Sequence, residues 1–296
     1  MAAVSSPERS VFFCSPQKTE DYCRRSECSN NVLLGFARRD DKVLVTRFFV
    51  VRDGPTVTGV AMMTDGFPAL LGTPIGKEAA LAIEAFLKDE VLLGVNGPKE
   101  VSILFREARS KRGVGVDWVP GHSAVCYEAS ADSLVASPLL ADESVRWLRG
   151  DRDEDLALCE RIMNEFAHEI HVLNASSAGA LAARRLKENS GKFMVLERNN
   201  GDVCAFVASM RSTPRYGVIT GVFTDQAYRR KGCARRAVSA MGHALLKEKE
   251  RLALFADADN VGPNALYVSL GFTALSTMQL WELPAAAKKD ETKEES

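Results

Sequence analysis

Arg229-Arg230-Lys231-Gly232-Cys233-Ala234-Arg235-Arg236 sets five cations around one glycine, and the apolar residues at Ala237, Val238, Met241, Leu245 and Leu246 predict a helix starting there. The first amides of a helix have no intrahelical acceptor, and the macrodipole adds partial positive charge, so such a start receives anions well. Gly232 removes the Cβ that would hold an anion off the backbone, and Cys233 and Ala234 are small enough to keep the approach open. Arg229, Arg230, Lys231 and Arg235 add countercharge and forked donors, which makes a diphosphate the natural guest. A solvated basic helix start would carry the same charges, and the surrounding sequence has to decide between the two.

Upstream, Val218-Ile219-Thr220-Gly221-Val222-Phe223-Thr224 is a β-branched apolar run broken by one glycine. This predicts a buried strand with a bulge or a close backbone approach, against which a ligand could lie. Downstream, Asn260-Val261-Gly262-Pro263-Asn264-Ala265-Leu266-Tyr267-Val268-Ser269-Leu270-Gly271-Phe272 reads as a turn-rich start, a short helix carrying a phenol, and a glycine stop.

In this order and spacing the segments resemble the GNAT superfamily of N-acetyltransferases. Arg229-x-x-Gly232-x-Ala234 is similar to its acyl-CoA signature, and Asn260 through Leu266-Tyr267 and Leu270-Gly271-Phe272 to the motif that follows it. The similarity runs from about Val145 to Glu282. The resemblance implies an α/β (α+β) fold whose mixed central sheet, flanked by helices, is splayed open between two strands, with acetyl-CoA lying in the opening. Val222, Phe223 and Thr224 would supply backbone contacts to the pantetheine arm. The amides of Arg230, Lys231, Gly232, Cys233, Ala234 and Arg235 would hold the diphosphate beside Arg229, and Asn260 or Asn264 would touch the pantetheine or shape the following helix.

The implied reaction is direct attack on the thioester by a primary amine, on a small molecule or a peptide, without a metal. Tyr267 would protonate the leaving thiolate, because a phenol of pKa about 10 is matched to a thiolate of comparable basicity. A strand amide near Val222 or Phe223 would stabilise the oxyanion. The other reading of Tyr267 is a core tyrosine whose hydroxyl is bonded to backbone. The strand over 218–224 has no carboxylate where some members place a glutamate, so no general base is assigned. Glu165, His168, Glu169 and His171 lie on a predicted helix over 155–172, where a surface or capping histidine is the ordinary reading.

Other chemistries lack their residues. The chain has no G-x-x-x-x-G-K-[ST] loop, no G-x-G-x-x-G fingerprint and no serine or cysteine nucleophile signature. Seven cysteines without a C-x-x-C pair argue against a zinc site or a disulfide framework, and for a reducing, cytoplasmic setting. With 38 basic against 39 acidic residues and no aromatics interleaved in the basic turn, nucleic acid is not an expected partner. No apolar run suggests a signal peptide or a membrane span. Two readings compete with the enzyme: an inactive acyl-CoA sensor or partner-binding module, and a basic face for a polyanion. Oligomeric state leaves no trace in the sequence.

The 296 residues are enough for two domains. Around the motifs the pattern predicts strands over 145–149, 192–197, 203–210, 218–224, 252–256 and 273–283, with helices over 178–187 and 264–270 beside the two already named. The N-terminal half repeats much of this order: a helix over 19–38, strands over 43–51, 56–63 and 67–71, helices over 77–88 and 99–111, and a strand over 116–127. That succession resembles tandem GNAT proteins. The expected layout is a flexible start over 1–16, a degenerate GNAT-like domain over 17–130, a linker over 131–143, the acyl-CoA-binding domain over 144–284 and a disordered tail over 285–296. In the first copy the basic turn corresponds to Gly72-Thr73-Pro74-Ile75-Gly76-Lys77, which lacks the arginines and is not expected to hold diphosphate, and Asn96-Gly97-Pro98 reads as an ordinary loop.

Overall fold

The computed structural model describes residues 10–38, 45–113, 118–170 and 175–284, and the expectations for 1–9, His171, Val172 and the tail lie outside them. In chain order the elements are β1 (Ser10–Cys14), α1 (Pro16–Cys23), α2 (Asn31–Ala37), β2 (Thr46–Asp53), β3 (Thr56–Thr64), β4 (Ala69–Leu71), α3 (Lys77–Phe86), β5 (Gly94–Pro98), α4 (Lys99–Lys111) and β6 (Val119–Ser130). There follow β7 (Glu143–Trp147), α5 (Asp153–Glu169), α6 (Ala175–Lys187), β8 (Lys192–Arg198), β9 (Val203–Ser209), β10 (Tyr216–Thr224), α7 (Cys233–Leu245), β11 (Arg251–Asp257), α8 (Val261–Ser269) and β12 (Thr273–Glu282). Two compact units result: residues 1–126, 256–260 and 275–296 form the first, and 127–255 and 261–274 the second.

The first unit is a sheet with helices on both faces, and the side-chain period of two dictates this. Phe48 and Val50 of β2, with Val60 and Met62 of β3, pack with Tyr22, Leu33 and Leu34 from α1 and α2. The intervening Phe49 and Val51, with Ala61 and Met63, pack with Ile83 of α3 and Phe105 of α4. β1 through β4 pair antiparallel in sequence order, and β4 then runs parallel to β5. The second unit is built alike: β7, β8, β9 and β10 pair antiparallel, and β10 runs parallel to β11. Phe193, Val195, Phe206, Ala208 and Phe223 pack with Ile162, Met163, Ala182 and Leu186 of α5 and α6. Ala237, Val238, Met241 and Leu245 are the buried stripe of α7. The succession β2-β3-β4-α3-β5-α4-β6 thus recurs as β8-β9-β10-α7-β11-α8-β12.

Several expectations are corrected. Ser10–Cys14, expected within a flexible start, form β1 in register with β2. The single helix over 19–38 is two helices, because Asn30 spends its side chain on the backbone: Oδ1 accepts from the Thr73 amide at 2.8 Å and Nδ2 donates to Cys23 O at 3.0 Å. Asn96-Gly97-Pro98 is not a loop but strand, paired with Leu280, Gln279 and Met278 of β12. The chain's last strand therefore groups, from Leu275 on, with the first unit. The segment expected as a linker is held by Val135 N to Leu270 O at 2.9 Å and Ser137 N to Ser239 Oγ at 2.9 Å.

The turn after β4 has become self-contained. Asn30 occupies the Thr73 amide, Gly72 N donates to Val60 O at 2.9 Å, and Glu78 sits in the first turn of α3, where an anionic ligand would otherwise be favoured.

Candidate functional site

In the second unit, β10 and β11 are in parallel register from Tyr216–Arg251 to Ile219–Leu254, and their pairing ends there. On its other edge β10 continues, matching Gly221 to Ala208, Val222 to Val207, Phe223 to Phe206 and Thr224 to Ala205, with a register shift between Ile219 and Gly221. The extra residue, Thr220, is the bulge that the glycine interruption foretold, and it turns the strand end away from its parallel neighbour. Alternate amides and carbonyls of 220–224 are left facing an open edge, a ready partner for an extended amide-bearing chain. Phe223 anchors this edge, since its side chain is buried among Phe206 and Met163.

Beyond β10 the backbone makes a compact nest. Asp225 accepts from the Ala227 amide at 2.9 Å, Arg230 takes φ +62° and Gly232, the N-cap of α7, takes φ +78°. Two left-handed residues flanking Lys231 at a helix start aim successive amides into one concavity. At Gly232 a Cβ would lie 2.7 Å from Arg236 Nη1, and the backbone angle independently disfavours any side chain.

The five cations divide their work in a way the sequence did not reveal. Arg229 Nε donates to Thr224 O at 3.0 Å, and its Nη2 is paired with Glu169, which ties the strand end to the end of α5. Arg235 donates through Nη2 to Ser269 O at 3.0 Å and through Nη1 to Ser269 Oγ, capping α8. Arg236 is buried and bound to Glu143 at 2.5 and 2.6 Å, and its Nη2 also donates to Lys231 O at 3.1 Å, holding the nest from below. Lys231 lies 5.4 Å from the centre of the Tyr228 ring. Arg230 is exposed and has no hydrogen-bond or ion-pair partner among the described residues. Cys233 and Ala234 are the first residues of α7, with Cys233 buried against the Arg236 guanidinium at 3.6 Å.

Tyr267 is oriented by the way α8 ends. Phe272 N donates to Tyr267 O at 3.1 Å and Gly271 N to Val268 O at 3.0 Å, with Gly271 at φ +87°. This is a Schellman stop, and the hydrophobic contact that accompanies it is the Tyr267–Phe272 ring pair at 6.0 Å. Tyr127 packs against the same ring at 6.2 Å, and its hydroxyl donates to Asn264 Oδ1 at 3.0 Å. Asn264 is thereby tied to Tyr127. Asn260 precedes α8 and closes the turn through its amide to Asp257 O at 3.1 Å. The Tyr267 ring is buried, its hydroxyl has no hydrogen-bond partner among the described residues, and burial pushes its pKa up to about 12. The backbone bond expected of a core tyrosine's hydroxyl is not seen among the described residues.

A Cβ at Gly271 would fall 1.8 Å from Ser133 O. Gly271→Ala is therefore expected to cost about 2–3 kcal/mol from strain and displacement of that carbonyl, measured by urea unfolding. Unchanged stability would mean that the stop is not what positions Tyr267.

Reasoning from the sequence overlooked Tyr127, Glu143 and Ser133. Glu143 had a findable signal, because Arg236 falls on the apolar stripe of α7 and a buried guanidinium requires a carboxylate. Among the described residues no three or more His, Cys, Asp or Glu are grouped to hold a metal, and no helix is long and apolar enough to cross a membrane. A cavity of about 700 Å³ lined by Trp147, Lys187 and Glu248 borders none of these groups.

Residues 157–272 match the family described as acetyltransferase (GNAT). No curated protein matches the sequence significantly. Solved structures share the fold over nearly the whole chain. A Drosophila protein at 14% identity has a TM-score of 0.64, with 93% of this chain and 98% of that one covered. A tandem GNAT protein from the clavulanic acid biosynthesis pathway, also at 14%, has a TM-score of 0.57 with 93% and 98% covered. A GCN5-related N-acetyltransferase from Sphaerobacter thermophilus, again at 14%, has a TM-score of 0.57 with 93% and 95% covered.

Proposed function

The chain carries a GNAT acetyltransferase domain over residues 157–272, and from that premise we propose that it transfers an acetyl group from acetyl-CoA to the primary amine of a small molecule or peptide. The observation that carries this reading is the conjunction of the opened β10–β11 edge with the nest at Arg230–Gly232 and an unbonded phenol on α8. Each suits one part of an acyl-CoA: an extended amide chain, a diphosphate and a thioester sulfur.

In this reading the amides of Gly232, Cys233, Ala234 and Arg235 receive the diphosphate, with Arg230 as the exposed countercharge. Val222, Phe223 and Thr224 pair with the pantetheine through the backbone, and one of their amides faces the oxyanion. Tyr267 supplies the proton to the thiolate. Burial that lifts the phenol lifts a thiolate released into the same surroundings, so the two remain comparable in basicity. The amine arrives neutral or loses its proton to solvent, since Glu169 is engaged with Arg229.

Calorimetric titration with acetyl-CoA and a dephospho analogue tests the cradle. Wild type should bind, and Gly232→Glu should bind at least about tenfold more weakly, because bulk and charge oppose the diphosphate. A thermal melt of the variant separates this from unfolding. No binding to wild type at millimolar acetyl-CoA would overturn the proposal. Binding without thiol release across an amine panel would favour the sensor reading, to which the absence of a strand carboxylate in β10 also points.

A further inference from the structure

We propose that Cys28 and Cys126, both in the first unit, are a redox pair that closes to a disulfide under peroxide. Their sulfurs lie 3.1 Å apart although the residues are 98 positions apart in the chain. A disulfide bond is about 2.05 Å long, so about 1 Å of approach separates contact from covalency. In the closed state both residues are held in place. Asn31 Nδ2 donates to Cys28 O at 2.7 Å, fixing the connection between α1 and α2, and Cys126 sits within β6. Ser29 Oγ donates to Cys126 Sγ at 3.7 Å and is itself 3.2 Å from Ser276 Oγ.

The chemistry balances with hydrogen peroxide as the oxidant. The Cys28 sulfur attacks one peroxide oxygen, the O–O bond breaks, and a sulfenic acid and one water result. The Cys126 sulfur then attacks the Cys28 sulfur, the S–O bond breaks, and the disulfide forms as the second water leaves. Two electrons pass from the two thiols to peroxide, and the thiol protons end in water. Cys28 is oxidised first because it lies in a connection between helices, which opens more readily than the middle of a strand. With the resolving sulfur already in contact, closure precedes a second encounter with peroxide, which protects Cys28 from sulfinic acid. Burial of both sulfurs, at 2% and 0% exposure, makes the reaction slow and gated by local opening, so mild urea should accelerate it.

The test uses the full-length reduced protein treated with hydrogen peroxide, alkylated and mapped by mass spectrometry without reduction. The expected product is a peptide pair linked through Cys28 and Cys126, two hydrogens lighter and restored by dithiothreitol. The midpoint of thermal unfolding should rise by roughly 5–10 °C, since the link closes a long loop. Cys28→Ala should abolish both changes and leave Cys126 alkylatable, and the wild-type map stands alone if that variant folds poorly. The proposal is overturned if both thiols stay alkylatable after hours in peroxide and mild urea, if Cys28 advances to sulfinic acid while Cys126 remains a thiol, or if the links formed join other cysteines.

Discussion

Tyr267→Phe is expected to lower kcat by about two to four orders of magnitude, the usual yield of a positioned general acid, with acetyl-CoA affinity changed by less than about twofold. The substitution removes one oxygen and keeps the ring, so the contacts with Tyr127 and Phe272 persist and the Schellman stop is untouched. Among the described residues nothing accepts a hydrogen bond from that hydroxyl, so a stability change beyond a few tenths of a kcal/mol is not expected. The pH profile gives a second readout. Tyr267 stays protonated until pH approaches 12, so wild-type turnover should rise as the acceptor amine deprotonates and should show no alkaline limb from the phenol across the neutral range. Steady-state thiol release at saturating amine measures both. A kcat within about threefold of wild type would remove Tyr267 from the chemistry and return the role of acid to solvent.

What was legible in the sequence and what was not divide by range. The strands, the α7 start and the α8 stop were readable because each is set by local rules: apolar period, a glycine where φ is positive, and β-branched runs. Helix 99–111 matches α4 end to end for that reason, and the bulge at Thr220 followed from one glycine in a strand. The partners of the cations were not readable, because each lies far away in the chain. Arg235 reaches Ser269, Arg229 reaches Glu169 and Arg236 reaches Glu143, so of the five cations around the turn three are already engaged, two of them among the four expected to face the diphosphate. That engagement also weakens the polyanion reading, which needs the arginines as one exposed face. The division of the long N-terminal helix was hidden for a related cause. Asn30 is a poor helix residue only because the Thr73 amide, 43 positions on, is there to receive it. The pairing of β12 with β5 was likewise out of reach, since a strand's pattern says which face is buried and not which neighbour it joins.

The Arg236–Glu143 pair carries the other large expectation, that Arg236→Met destabilises the second unit by about 3–5 kcal/mol. Glu143 is fully enclosed on the side-chain level and Arg236 nearly so, and a carboxylate left there without its partner keeps the desolvation penalty and loses the compensation. Burial alone would raise the Glu143 pKa, but the hydrogen bond from Arg236, with the Leu140 amide adding at 3.1 Å, holds it below its ordinary value. A folded pKa below the unfolded one means that the contribution is fully present above about pH 4.5 and fades as pH falls through the lower folded value. Wild type should therefore lose this increment in acid, and the variant should have less to lose there. Arg236→Met combined with Glu143→Leu should recover much of the stability, because a matched apolar pair avoids the uncompensated charge. It should not recover acetyl-CoA binding, since the bond from Arg236 to Lys231 O that supports the nest is gone in both variants. Urea unfolding and calorimetry on the single and double variants distinguish the two roles. A double variant that regains both stability and affinity would make the ion pair a packing element alone, and one that regains neither would mean that Arg236 acts through contacts other than Glu143.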